Sequence, residues 1–283
     1  MIDWLLYLIT AVLYALLGLR DLQLQFGSGQ AADGRRDDMP GVESQSERQV
    51  HRLLPLAWIT HVLLLQHTLF AGGHFDLSLG HAISLIGAFT VMVYWLSSRH
   101  TSLGILRPAI LCIAALATIA PLVLHSAKIV NLERGLAFQL HILASLLAYS
   151  LFIIAALHAG LMAIQERRLH AGEVRGRLGH LPSLVAMDTL LFQLVLSGFV
   201  LLTLTLASGI LFSEEVFGRP FTLSHKTLLG VISWAIFGGL LIGRWGYGWR
   251  GRRAALWTIT GFVVLALAYV GQKMVLEIIL HRV

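Results

Sequence analysis

Eight apolar runs, at about residues 2–19, 53–71, 81–97, 107–124, 136–164, 185–212, 224–247 and 254–280, constrain this chain more than any other feature. A bilayer core takes roughly 20 apolar residues per helix, and each run approaches or exceeds that length. The sixth contains MDTLLFQLVLSGFVLLTLTLASGILF, which has no basic side chain. Charged residues are only 13% of the 283, against about 25% in an ordinary soluble domain. The expected fold is all-α: a polytopic membrane helix bundle of about eight transmembrane helices, forming a single integral membrane domain over residues 1–283. The opening stretch MIDWLLYLITAVLYALLGLRD has no basic leader and no small-residue cleavage site. It reads as the first span rather than as a signal peptide.

In a membrane protein, basic residues report orientation, so the net charge of +6 is no sign of nucleic-acid binding. With eight spans, the loops on one side hold fifteen Lys and Arg, from Arg20 to the WRGRRA segment, and those on the other hold six. That bias predicts both termini on the outer, periplasmic side of a bacterial inner membrane. Residues 20–52, rich in Gly, Ser, Gln and charges of both signs, then form a flexible cytoplasmic loop between spans 1 and 2.

Enzymatic chemistry finds no support. There is no G-x-S-x-G, H-E-x-x-H or P-loop. The single cysteine, Cys112, excludes an intrachain disulfide, a C-x-x-C pair and a C-x-x-C-H haem attachment. A compact zinc site could be argued only for His74 and His81 with Asp76 between them.

The thirteen histidines carry the chemistry that remains. His67, His74, His81, His125, His141, His225 and His281 fall at or near the outer face, His61 near mid-membrane and His158 in the inner half. His141 lies a turn or so into the fifth span at 1.5 Å per residue, and His225 opens the seventh, so the two can share one depth. Intramembrane ionisable residues usually face a bundle interior or a cavity. Each histidine also has a plainer reading: a helix–helix hydrogen bond for His141 and His61, a helix-start residue for His225. Lys226 suits an anionic group such as a propionate, or a headgroup to which it snorkels. Spacing alone gives an outer-face histidine cluster and leaves its ligand open.

The stretches LASGILFSEEVFG, SHKTLLGVISWAIFGGLLIGRWGYGWRGRRAALWTITGFVVLALAYVG and LHILASLLAYSLF resemble the cytochrome c assembly family of CcsA- and CcmC-type membrane proteins, nearest to its YpjD- and HemX-like branch. THVLLLQHTLF and GGHFDLSLGHAISLIGAFTVMVYWL are similar to the family's second and third spans. The resemblance implies haem as cofactor or cargo. It matches His141 to the family's outer haem-ligating histidine and His61 to a buried histidine associated with a transmembrane haem. His225 and Lys226 fall where the CcsA group carries a tryptophan-rich haem-handling loop. The chain departs from that pattern in RPFTLSHKTLL, which has no tryptophan, and at Leu241-Ile242-Gly243, where the CcsA group has a second buried histidine.

The expectation is a haem-binding membrane protein that holds or hands on haem at the outer face without catalysing a reaction. Its iron ligands are His141 and His225, with His61 as a deeper candidate and Lys226 beside the propionates. Its partners are haem, membrane lipid and cytochrome c maturation or respiratory proteins. Two other classes stay open: a histidine-dependent transporter, and a ligand-free membrane chaperone or regulatory protein.

Overall fold

The structure, a computed structural model, describes residues 2–27, 45–70, 75–98, 103–124, 129–130, 135–171, 183–211, 213 and 225–271. They divide into two compact units, Met1–Ala127 and Lys128–Val283.

The first unit contains α1 (Ile2–Gly27), α2 (Gln45–Leu69), α3 (Leu79–Ser98) and α4 (Arg107–Val123). α1 and α3 each pack against both α2 and α4, which closes a ring of four helices. Small residues allow the approach. A Cβ on Gly80 would lie 2.6 Å from the Pro121 backbone, and one on Gly87 would lie 2.6 Å from Ala117 Cβ. In a bilayer, where lipid tails are as apolar as Leu, such close contact is a main source of helix association. At one end the Arg107 side chain grips Asp21 through two hydrogen bonds, with Nε 2.9 Å from Oδ2. Both residues are buried. The helices on either side of the expected 20–52 loop run into it, α1 to Gly27 and α2 from Gln45, leaving 28–44 between them.

The second unit contains α5 (Leu136–His170), α6 (Leu184–Leu211), α7 (His225–Tyr247) and α8 (Gly251–Ala266), the last continuing into a π-helical turn at Leu267–Gly271. These too form a ring, in which α5 and α7 each pack on α6 and α8. Contacts between successive helices fix their directions. His141 meets Ser208 while His158 meets Met187, and Trp234 meets Thr203 while Arg244 meets Asp188. α6 is therefore antiparallel to both α5 and α7, and α5 and α7 run in the same direction. Across the ring, Phe152 of α5 stacks on Phe237 of α7, with centroids 3.9 Å apart and planes 13° from parallel.

Seven of the eight helices are long and apolar enough to cross a membrane. The exception is α2. It opens on the polar stretch QSERQVHR, and its apolar part is interrupted by His61, Gln66 and His67.

Candidate functional site

His141 sits near the start of α5, with Nδ1 2.8 Å from Ser208 Oγ on α6. Ser208 donates its own proton to the Thr205 carbonyl at 3.1 Å. A hydroxyl has one proton to give, so when Ser208 gives it to the Thr205 carbonyl it accepts from His141, and the imidazole proton is then on Nδ1. Nε2 then carries the lone pair, the form in which a histidine ligates iron, with its ring oriented by the bond made through the other nitrogen.

Lys226, exposed at the start of α7, lies close enough for its charge to act on His141. Its Nζ stands 5.1 Å from the centroid of the Tyr269 ring, a cation–π distance. Tyr269 belongs to the π-helical turn and lies 5.7 Å, centroid to centroid, from Tyr149. The Tyr149 hydroxyl donates to the Leu265 carbonyl at 3.1 Å. One end of the second unit thus brings together an imidazole anchored by a hydroxyl, an ammonium and two aromatic rings. That combination suits a flat, apolar ligand carrying carboxylates and a metal that accepts nitrogen.

The Phe152–Phe237 stack shows why Lys226 reaches this site. His141 precedes Phe152 by eleven residues, and Lys226 precedes Phe237 by eleven. Eleven residues are close to three turns and about 16 Å of rise. On parallel helices both side chains therefore share the depth and the helix face of their stacked phenylalanine. His225 has the right depth but is turned by about 100° from that face, and its side chain is exposed. Among the described residues no hydrogen bond, ion pair or ring contact joins it to His141.

His61 stands in the first unit, fully buried. Nδ1 is 3.3 Å from the Tyr14 hydroxyl, and Nε2 is 2.9 Å from Ser84 Oγ and 3.5 Å from Thr118 Oγ1. The ring also meets Tyr14 edge-on at 5.5 Å. Both nitrogens are engaged, by residues of α1, α3 and α4. This is the helix–helix bonding that the plainer reading expects.

For the zinc arrangement, His81 Nδ1 is 3.2 Å from Asp76 Oδ2 and 2.9 Å from Ser78 Oγ, while His74 lies outside the described residues, as do His125 and His281. No group of three metal-binding side chains occurs among the described residues. His158 donates Nε2–H to the Met187 carbonyl at 2.9 Å.

Sequence pattern did not single out Ser208, Tyr149 or Tyr269. A usable signal existed for Ser208. On an antiparallel neighbour, a hydroxyl near the end of span 6 lies at the depth of a histidine near the start of span 5.

Comparison with known proteins bears on what this geometry serves. The cytochrome c assembly protein family matches residues 52–280. The inner membrane protein YpjD of Escherichia coli strain K12 is 30% identical over 230 residues, covering 79% of this chain and 85% of that protein. The cytochrome c biogenesis protein CcsA of Prochlorococcus marinus strain MIT 9215 is 41% identical over 85 residues, 30% of this chain and 28% of CcsA. That of Parasynechococcus marenigrum strain WH8102 is 31% identical over 115 residues, 41% and 34% of the two chains.

Proposed function

Because the chain belongs to the cytochrome c assembly protein family and is a multi-pass inner membrane protein, we propose that it binds haem at the outer face and holds it or hands it on without transforming it. His141 is the iron ligand through Nε2, and Lys226 pairs with a propionate. His225, at the same depth, is the histidine that would serve as a second iron ligand. The partners are haem and the cytochrome maturation or respiratory proteins that give or receive it. In this reading α2 completes eight spans and both termini lie outside.

The observation that carries this reading is the His141–Ser208–Thr205 chain, which is compatible with a proton on Nδ1 and the lone pair on Nε2. A bound haem would supply an iron centre with nitrogen affinity and two carboxylates. The protein's part is to orient the imidazole, supply the ammonium and wall the site with Tyr149 and Tyr269. Among the described residues the buried Asp21 and Asp188 are each bonded by an arginine, Arg107 and Arg244.

The test is the absorption spectrum of detergent-purified protein, oxidised and dithionite-reduced, with a pyridine haemochrome assay. A Soret band at near-stoichiometric occupancy that His141→Ala abolishes is expected. A spectrum that stays flat after haemin is added, or one unchanged in His141→Ala, rejects the assignment.

A further inference from the structure

The connection between α7 and α8 is a fixed turn. Gly248 N–H donates to the Arg244 carbonyl at 3.2 Å and Trp249 N–H to the Gly243 carbonyl at 3.1 Å, with Gly248 at φ 65°. The first of these is the single bond of an αL helix cap, with Gly248 in the left-handed position. Trp249 folds back over Gly243, where its ring occupies the space a Cβ would need. Gly251 N–H, opening α8, donates to Asp188 Oδ1 at 3.2 Å. Both flanking helices are candidate membrane spans, and only three residues join them. The tip therefore cannot leave the membrane surface and lies at headgroup depth.

That tip carries three arginines, of which among the described residues only Arg250 meets a carboxylate. Asp188 is already taken by Arg244 at 2.6 Å and by Gly251, so Arg250, 65% exposed, approaches it only at 4.0 Å. Arg252 and Arg253 are exposed, and among the described residues neither pairs with a carboxylate. Arg253 is held in place: its guanidinium carbon lies 5.6 Å from the Trp249 ring centroid, and Trp249 packs on Trp257 at 5.0 Å. Beside them Trp245 and Tyr247 are 71% and 78% exposed, and such amphipathic rings settle in the interfacial layer.

We propose that the α7–α8 hairpin is a binding site for the phosphodiester headgroup of an anionic phospholipid. Arg250, Arg252 and Arg253 take the phosphate, and Trp245 and Tyr247 are seated in the layer where the glycerol backbone lies. Guanidinium forks match phosphate oxygens in geometry as well as charge. An uncompensated cluster at headgroup depth selects a lipid with net negative charge over a zwitterionic one. The proposal is independent of haem.

The test titrates the full-length purified protein with phosphatidylglycerol and with phosphatidylcholine of identical chains, reading bound lipid by native mass spectrometry. The first phosphatidylglycerol is expected to bind at least about tenfold tighter, since basic residues at the surface attract anionic lipid. Arg250→Gln/Arg252→Gln/Arg253→Gln is expected to remove the preference. Arg167→Gln/Arg168→Gln, which takes charge from the exposed end of α5, is expected to retain it, and millimolar inorganic phosphate is expected not to displace the lipid. Equal affinity for the two lipids, or a triple variant that keeps the preference, overturns the proposal. Equal loss in both variants would reduce it to net charge, and displacement by phosphate would make the ligand a free anion; either overturns it too. If the triple variant does not fold, Arg253→Gln alone must lose the preference several-fold.

Discussion

Phe152 and Phe237, stacked at 3.9 Å, set the register of two parallel helices that face each other across the ring they form with α6 and α8. The same contact decides which residues of α5 and α7 face one another three turns away, at His141 and Lys226. Phe237→Ala is therefore expected to lower the melting temperature of the detergent-solubilised protein, with a cost of about 3–5 kcal/mol for the cavity. It is also expected to weaken haemin binding with both ligand-site residues intact. Phe237→Leu should retain most of both properties. Unchanged haemin affinity in a destabilised Phe237→Ala would show that the register does not govern the site.

Ser208→Ala removes the acceptor that holds the His141 proton on Nδ1. Partners of this kind typically contribute 10–100-fold in metal affinity, so haemin titration should show a dissociation constant raised by about tenfold or more. Ser208→Thr, which keeps the hydroxyl, should recover most of the loss.

His225→Ala separates depth from facing. If His225 serves as second ligand, the variant keeps haem but loses the sharp reduced α and β bands of a six-coordinate iron. An unchanged reduced spectrum would leave His141 as the only histidine ligand of the pair.

His61→Ala leaves the buried hydroxyls of Tyr14 and Ser84 short of a partner, at a cost of about 1–3 kcal/mol for each group left unsatisfied. Thermal unfolding should shift down while haem content by pyridine haemochrome stays the same. Loss of haem with the melting curve intact would instead make His61 a ligand.

Asp21→Asn is expected to destabilise by about 3–5 kcal/mol, because Arg107 stays buried without its counter-charge. The double replacement Asp21→Leu/Arg107→Met should recover much of that in the same unfolding assay.

Apolar periodicity and length made the helices legible, and seven of the eight expected spans are long, apolar helices. α2 falls short because His61, Gln66 and His67, which lower its hydropathy, sit among its apolar residues, and His61 is there to join α1, α3 and α4. Residue counting from a span's end gives depth, so it brought His141, His225 and Lys226 to one level. It gives no facing, which depends on a register set by Phe152 and Phe237, and so it ranked His225 with His141 although Lys226 is the one on the helix face of Phe237. The pairs Asp21–Arg107 and Asp188–Arg244 were not read either, since each joins residues far apart in sequence. Opposite charges at the same end of two spans were their only trace.

The three-residue turn between α7 and α8 also bears on how the protein is made. Arg244, Arg250, Arg252 and Arg253 lie within ten residues of one another, and moving each guanidinium through a bilayer centre costs on the order of 3 kcal/mol. In the proposed topology, with this tip on the cytoplasmic side, none of the four crosses, and α7 and α8 would enter the membrane together as one unit.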